Sequence, residues 1–179
     1  ANMALMAAGA GFGYQKSAPF LLGTISGFFL VGIWVAAGLG TLFVLFPPLR
    51  LAFLVLSAAY ILFLAYRIAF QDPKISTASK RPSYIAGCII HPLNPKAWVM
   101  LIAAFSQFID PELDYFAQLS TILAIFTAVG LVLNSGWVYA GSLINRLVKS
   151  PNTLRRINQI LAVLMIVVVA AALLQSDFA

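Results

Sequence analysis

The decapeptide "IIHPLNPKAW", Ile89 to Trp98, decides how this chain is read. It lies in the apolar run from Tyr84 to Ile109 and carries two prolines, an asparagine, a lysine and the only histidine. Pro92 and Pro95 each lack an N–H, and each disfavours helix in the residue before it. The pair predicts an interruption of any helix through this run. Asn94-Pro95 is also a good helix start, with Asn as N-cap and Pro at the first helical position. A fresh helix is expected from Pro95 to about Ile109. Its roughly 15 residues span about 22 Å. That is too short for a hydrocarbon core of about 30 Å.

Composition makes that core the right comparison. The 179 residues are 62% hydrophobic and 9% charged, against about 25% charged in a soluble domain. So few charges cannot cover a water-facing surface. The chain reads as an all-α polytopic membrane protein, which excludes a soluble enzyme and a nucleic-acid partner. One cysteine, Cys88, excludes an internal disulfide and a Cys-based metal cluster. It reads as a small buried apolar residue. The chain starts Ala1-Asn2-Met3, and no charged region precedes the first apolar stretch, so no signal peptide is expected. The start resembles the inside of an element, and further residues are expected upstream.

Breaks in the apolar runs give a partial first span, about Asn2 to Phe12, and five full ones. The full spans are expected at Ala18–Phe46, Leu49–Tyr66, Tyr84–Ile109, Tyr115–Ile144 and Ile157–Leu174. Backbone polar groups in lipid must be satisfied internally, so these are helices. Charge alternates between their connections. One set holds Lys16, then Arg67, Lys74, Lys80 and Arg81 with Asp72, then Arg146, Lys149, Arg155 and Arg156. The other holds Arg50 and the acidic "DPELD" of Asp110 to Asp114, with Asp177 after the last span. The positive-inside rule puts the basic set in the cytoplasm and the C-terminus outside. Tyr14, Tyr66, Tyr84 and Tyr115 fall at span edges, as interfacial tyrosines do. Trp34, Trp98 and Trp137 fall mid-span and are expected inside the bundle or facing a cavity.

Gly9 and Gly13, Gly23 and Gly27, and Ala36 and Gly40 are spaced for close helix packing. The plain reading is packing within one bundle; a homo-oligomer face is the alternative.

A break within a span is tolerated only where protein or a water-filled cavity covers the freed backbone. Such breaks recur in secondary transporters, where a half-helix N-terminus points at an anionic substrate group. Lys96 adds a positive charge there, and a charge within a span is a functional hypothesis by default. Together they point to a carboxylate site, with Asn94 either capping the helix or binding the ligand. The bland alternative is that Lys96 snorkels to the headgroups and the kink only serves packing. His91 has no acidic partner and no second metal ligand, which fits a structural histidine. It is also the candidate for proton coupling, because all five acids lie in loops or at ends. Asn134 and Ser135 read as interhelical hydrogen-bonding residues, and Gln107 as an outer-end polar residue.

Three spans separate the starts of "ANMALM" and "PKAWVM", which would give two halves of opposite orientation. Inverted 3+3 repeats with paired broken helices are a common transporter plan. The expected single transmembrane domain, 1–179, divides into a first repeat at 1–70, a cytoplasmic loop at 71–83 and a second repeat at 84–179.

"NPKAWVMLIAAFSQFID", Asn94 to Asp110, resembles the segment at the Asn-Pro-Lys motif of the lysine-exporter (LysE/RhtB) family. "AAYILFLAYR", Ala58 to Arg67, is similar to that family's third-span ending. "RLVKSPNTLRRINQILAVLMI", Arg146 to Ile166, resembles its fifth-to-sixth loop and last span. "ANMALM" looks like the tail of its Pro-Gly-Pro-Asn motif, with Ala1 where the second Pro would stand. The resemblance covers nearly the whole chain. It implies a six-span exporter of amino acids or close derivatives in the bacterial inner membrane, driven by the proton or ion gradient. It implies Asn94, Pro95, Lys96 and Asn2 as substrate-binding positions. The implied partners are an amino-acid substrate and membrane lipid, with no cofactor and no metal. A non-transporting integral membrane subunit is the competing reading. An intramembrane enzyme is not expected, since paired acids, a nucleophile–base pair and a His-rich metal site are all missing from the sequence.

Overall fold

Backbone punctuation sets the helix ends. The computed structural model describes residues 1–40, 45–70, 82–148 and 150–175, and among them there is no strand. The helices are α1 Asn2–Phe12, α2 Tyr14–Ala36, α3 Pro47–Ala69, α4 Tyr84–Leu93, α5 Pro95–Phe108, α6 Tyr115–Leu147 and α7 Pro151–Gln175. Four of them, α2, α3, α6 and α7, are long and apolar enough to cross a membrane, and α4 with α5 makes a fifth if the bent pair is one span. The helix α1 is apolar but shorter. This is the architecture of a polytopic membrane protein. Large apolar side chains on its outside, such as Val132 at 71% and Phe116 at 75% exposed, require lipid rather than water around them.

Several ends differ from expectation. A single residue, Gly13, joins α1 to α2 with φ 77°, a left-handed turn that favours glycine. The helix α2 therefore starts at Tyr14, before the expected Ala18, and takes Lys16 into its first turn. Pro19 lies in the second turn of α2, where it leaves the Gln15 carbonyl without a helical donor. The helix α7 starts at Pro151 rather than Ile157 and includes Arg155 and Arg156. Proline at a first helical position has no N–H to lose. The expected loop at 71–83 and the end of the second span at 41–44 lie outside the described residues, apart from Pro82 and Ser83.

Two apolar cores fill the bundle. One joins Leu5 and Ala8 of α1, Phe20 of α2, Leu64 of α3, Ile90 of α4, Val138 of α6 and Met165 of α7. The other joins Val31 and Val35 of α2, Trp98, Leu101 and Phe105 of α5, and Ile122 and Leu123 of α6. The α4–α5 break falls at the seam between them. Tyr115 Oη donates to the Ala36 carbonyl at 2.8 Å, so the end of α2 and the start of α6 share one side of the bundle. Tyr60 Oη donates to the Ala86 carbonyl at 2.6 Å, so the later part of α3 lies beside the start of α4.

Glycine sets the closest approaches. The most extensive helix pairs are α2 with α4 and α1 with α6, followed by α3 with α7. In the first pair, a Cβ on Gly23, Gly27 or Gly87 would overlap backbone of the facing helix. In the second, Gly9 and Gly141 play the same part. Gly27 lies against the carbonyl of Cys88, which the missing N–H of Pro92 deprives of its helical donor. The expected Gly23–Gly27 pair is thus a helix contact. Gly13 serves a turn, with open space where its Cβ would be.

Candidate functional site at the helix break

The break lies between Leu93 and Pro95, and the axes of α4 and α5 differ by 64°. Asn94 is the C-cap of α4 and the N-cap of α5, in extended conformation. Its Oδ1 accepts the Lys96 backbone N–H at 3.0 Å. Of the two roles offered for Asn94, the structure shows the cap. The interruption expected from both prolines comes only at Pro95. Pro92 sits inside the last turn of α4, where its missing N–H leaves the Cys88 carbonyl without a helical donor but does not end the helix.

The freed backbone is covered by aromatic side chains. Trp98, buried in α5, donates its indole N–H to the Pro92 carbonyl at 2.9 Å. Its ring stacks on Trp34 of α2 at 5.9 Å and meets Phe53 of α3 edge-on at 6.1 Å. His91 meets the Phe28 ring edge-on at 5.2 Å, and Phe28 stacks on Phe126 of α6 at 6.0 Å. The wall of the break thus draws on α2, α3, α4, α5 and α6.

The expected site residues partly converge. His91 is half-buried, and its Nδ1 is buried without a hydrogen-bond partner among the described residues. An orphaned buried nitrogen is costly. A fully satisfied structural histidine, the bland expectation, is therefore not what the structure contains. The start of α1 lies within electrostatic reach of both Lys96 and His91. Asn2 occupies the first turn of α1 and is exposed. The side chain of Lys96 is exposed. Pro95 opens α5. Asn134 and Ser135 are half-buried on α6, and Gln107 is exposed near the C-terminal end of α5. Trp34 and Trp98 pack inside the bundle, whereas Trp137 is 40% exposed, contrary to expectation.

Two features escaped the sequence reading. The role of Trp98 needs the distance between Pro92 and the indole, which sequence does not give. Asn158 is almost wholly buried, with Oδ1 unpartnered among the described residues. Its signal was available: Asn158, Leu161, Ala162, Met165 and Val169 form one buried stripe on α7, at helical spacing. Among the described residues no group of three His, Cys, Asp or Glu could hold a metal.

A model of the family described as LysE type translocator matches residues 1–176. The chain is also similar to cysteine/O-acetylserine efflux proteins. The protein of that name from Escherichia coli (strain K12) is 26% identical over 167 residues, covering 92% of this chain and 84% of the relative. The one from Shigella flexneri serotype 5b (strain 8401) gives the same 26% identity and the same coverage, 92% and 84%. No solved structure matches the chain.

Proposed function

Because the chain belongs to the LysE type translocator family, we propose that it is a secondary transporter exporting amino acids or close derivatives across the bacterial inner membrane, coupled to the proton or ion gradient. As a translocator in a membrane it is a transporter and not an enzyme. The observation that carries the rest is the break itself, where Asn94 caps a fresh helix opened by Pro95 and Lys96 stands in its first turn.

The chemistry follows from what these groups offer. The N-terminus of α5 presents backbone N–H groups and the positive end of a helix dipole. Lys96 adds a full positive charge. Such a constellation favours a carboxylate. No described helix contains an Asp or Glu, so a cationic side chain, added to the α-ammonium that every amino acid carries, has no carboxylate to pair with there. Small neutral amino acids fit best, and the cargo named for the relatives, cysteine and O-acetylserine, is of that kind. The 14 residues of α5 put its start about 21 Å from its outer end, well inside the hydrocarbon. An exposed Lys96 at that depth is costly against lipid, so it faces a water-filled vestibule. Asn94, Pro95, Lys96 and Asn2 line the carboxylate end of this site, and His91 is the group that titrates with the transport cycle.

The packing supports a 3+3 inverted repeat. The broken span of the second half packs on α2 of the first, and α1 of the first packs on α6 of the second. On the register that lays "ANMALM" on "PKAWVM", exchanging the halves maps the α1–α6 pair onto the α5–α2 pair, which are both in contact, and the α3–α7 pair onto itself. On the positive-inside rule the C-terminus is then outside the cytoplasm.

The test is uptake of radiolabelled cysteine, O-acetylserine and a panel of other amino acids into everted vesicles, with imposed pH and voltage gradients. Gradient-dependent uptake of small neutral amino acids is expected. No flux of any amino acid would overturn the assignment. Lys96 is also placed to snorkel to the cytoplasmic headgroups, in which case its replacement leaves flux unchanged.

A further inference from the structure

We propose that Trp98 is a positioning residue, a latch that sets the angle of the broken span and so aims the N-terminus of α5 and Lys96 at the substrate. This rests on the site proposed above.

In a continuous helix the Pro92 carbonyl would accept the N–H of Lys96. Here that N–H goes to Asn94 Oδ1, which leaves the Pro92 oxygen without its helical donor. Trp98 supplies the replacement, its indole N–H at 2.9 Å. One bond therefore ties the last turn of α4 to the first turns of α5, across the interruption. The ring that makes it is not free to follow α5 alone. Trp34 holds one face and Phe53 meets it edge-on, so the bond is clamped against α2 and α3. Trp98 is 3% exposed, and a buried carbonyl deprived of its donor is expensive. The bend thus has one low-energy setting while the indole N–H is in place. Lys96 stands two residues from the ring, on the turn whose direction the latch fixes. Trp98 itself is buried and need not touch substrate.

Two variants separate the N–H from the ring. Trp98→Phe keeps an aromatic wall and removes the donor. Incorporation of 3-benzothienylalanine at position 98 replaces the N–H by sulfur and keeps the ring's shape, which guards against a folding failure of the first variant. Each is made in a Cys88→Ala background with spin labels at Ile85→Cys and Phe108→Cys. Both label positions are exposed, on α4 and α5 respectively. Electron–electron distance measurement in proteoliposomes then reads the bend, and cysteine transport reads the site. Losing the donor is expected to broaden or lengthen the label distance. It is also expected to raise KM about fivefold, the size of one buried hydrogen bond, with the maximal rate nearly unchanged. A purely structural role would instead lower the amount of folded protein and leave KM alone. An unchanged distance and KM overturn the proposal. A changed distance with unchanged KM overturns it too, provided Lys96→Ala abolishes transport. If Lys96→Ala transports normally, the site assignment is what fails, and the distance still reports on the latch.

Discussion

Replacement of Asn94 separates capping from binding at the break. Its Oδ1 accepts the Lys96 N–H at 3.0 Å. Asn94→Ala removes that cap, worth about 1 kcal/mol at an ordinary helix start. Where water cannot take over the orphaned N–H, the loss rises to about 1–3 kcal/mol. Asn94→Asp keeps an accepting oxygen in the same place, and its charge suits the helix dipole by about 0.3–1 kcal/mol. Folding should therefore survive in Asp and suffer in Ala. Transport should show a different order. A carboxylate about 6 Å from the substrate carboxylate, at an effective dielectric of about 20, adds about 3 kcal/mol of repulsion, or about a hundredfold in affinity. Asn94→Ser, a capping residue without charge, should keep both properties. The assays are thermal unfolding in detergent and the KM for cysteine uptake into everted vesicles. Stable Asp protein with normal KM would refute the reasoning, because an anion at this helix start would then be indifferent to the added charge.

Glycine contacts predict stability by position. Gly9→Ala and Gly87→Ala each drive a Cβ into facing backbone and should cost about 1–3 kcal/mol, whereas Gly136→Ala meets open space and should stabilise α6 by up to about 1 kcal/mol; thermal unfolding of the three variants checks this. Tyr115→Phe removes the bond to the Ala36 carbonyl and should lower stability by about 0.5–1.5 kcal/mol without changing KM. His91→Asn should flatten the pH dependence of transport, and a pH profile matching the parent would remove His91 from coupling.

The break was legible because local rules govern it. Asn94 and Pro95 are neighbours with strong, opposite preferences for the outside and inside of a helix start, and no tertiary contact is needed to read them. The pair of prolines announced an interruption, and its place after Pro92 follows from Asn94, whose cap starts the new helix. The helix starts at Tyr14 and Pro151 were less legible. Lys16, Arg155 and Arg156 read as loop charges, yet a helix can continue past the hydrocarbon and carry them at its end. Glycine spacing announced Gly23 and Gly27 as contacts. Their partner, Gly87 with the backbone around Cys88, depends on how α2 crosses α4. The same holds for the meeting of Lys96 and His91 with the start of α1, and for the span of the Trp98 indole to the Pro92 carbonyl. Family membership was legible through the order of several short motifs. The exposure of Lys96 was not, because burial depends on which edge of the bundle the turn occupies.

The central claim is that Lys96, at the start of α5, holds the substrate carboxylate. Its most direct test is cysteine flux in proteoliposomes for Lys96→Ala and Lys96→Arg, measured with matched amounts of folded protein. The account predicts that Ala abolishes saturable flux and that Arg, which keeps the charge, retains part of it. Saturable flux in the Ala variant with the parental KM would contradict it.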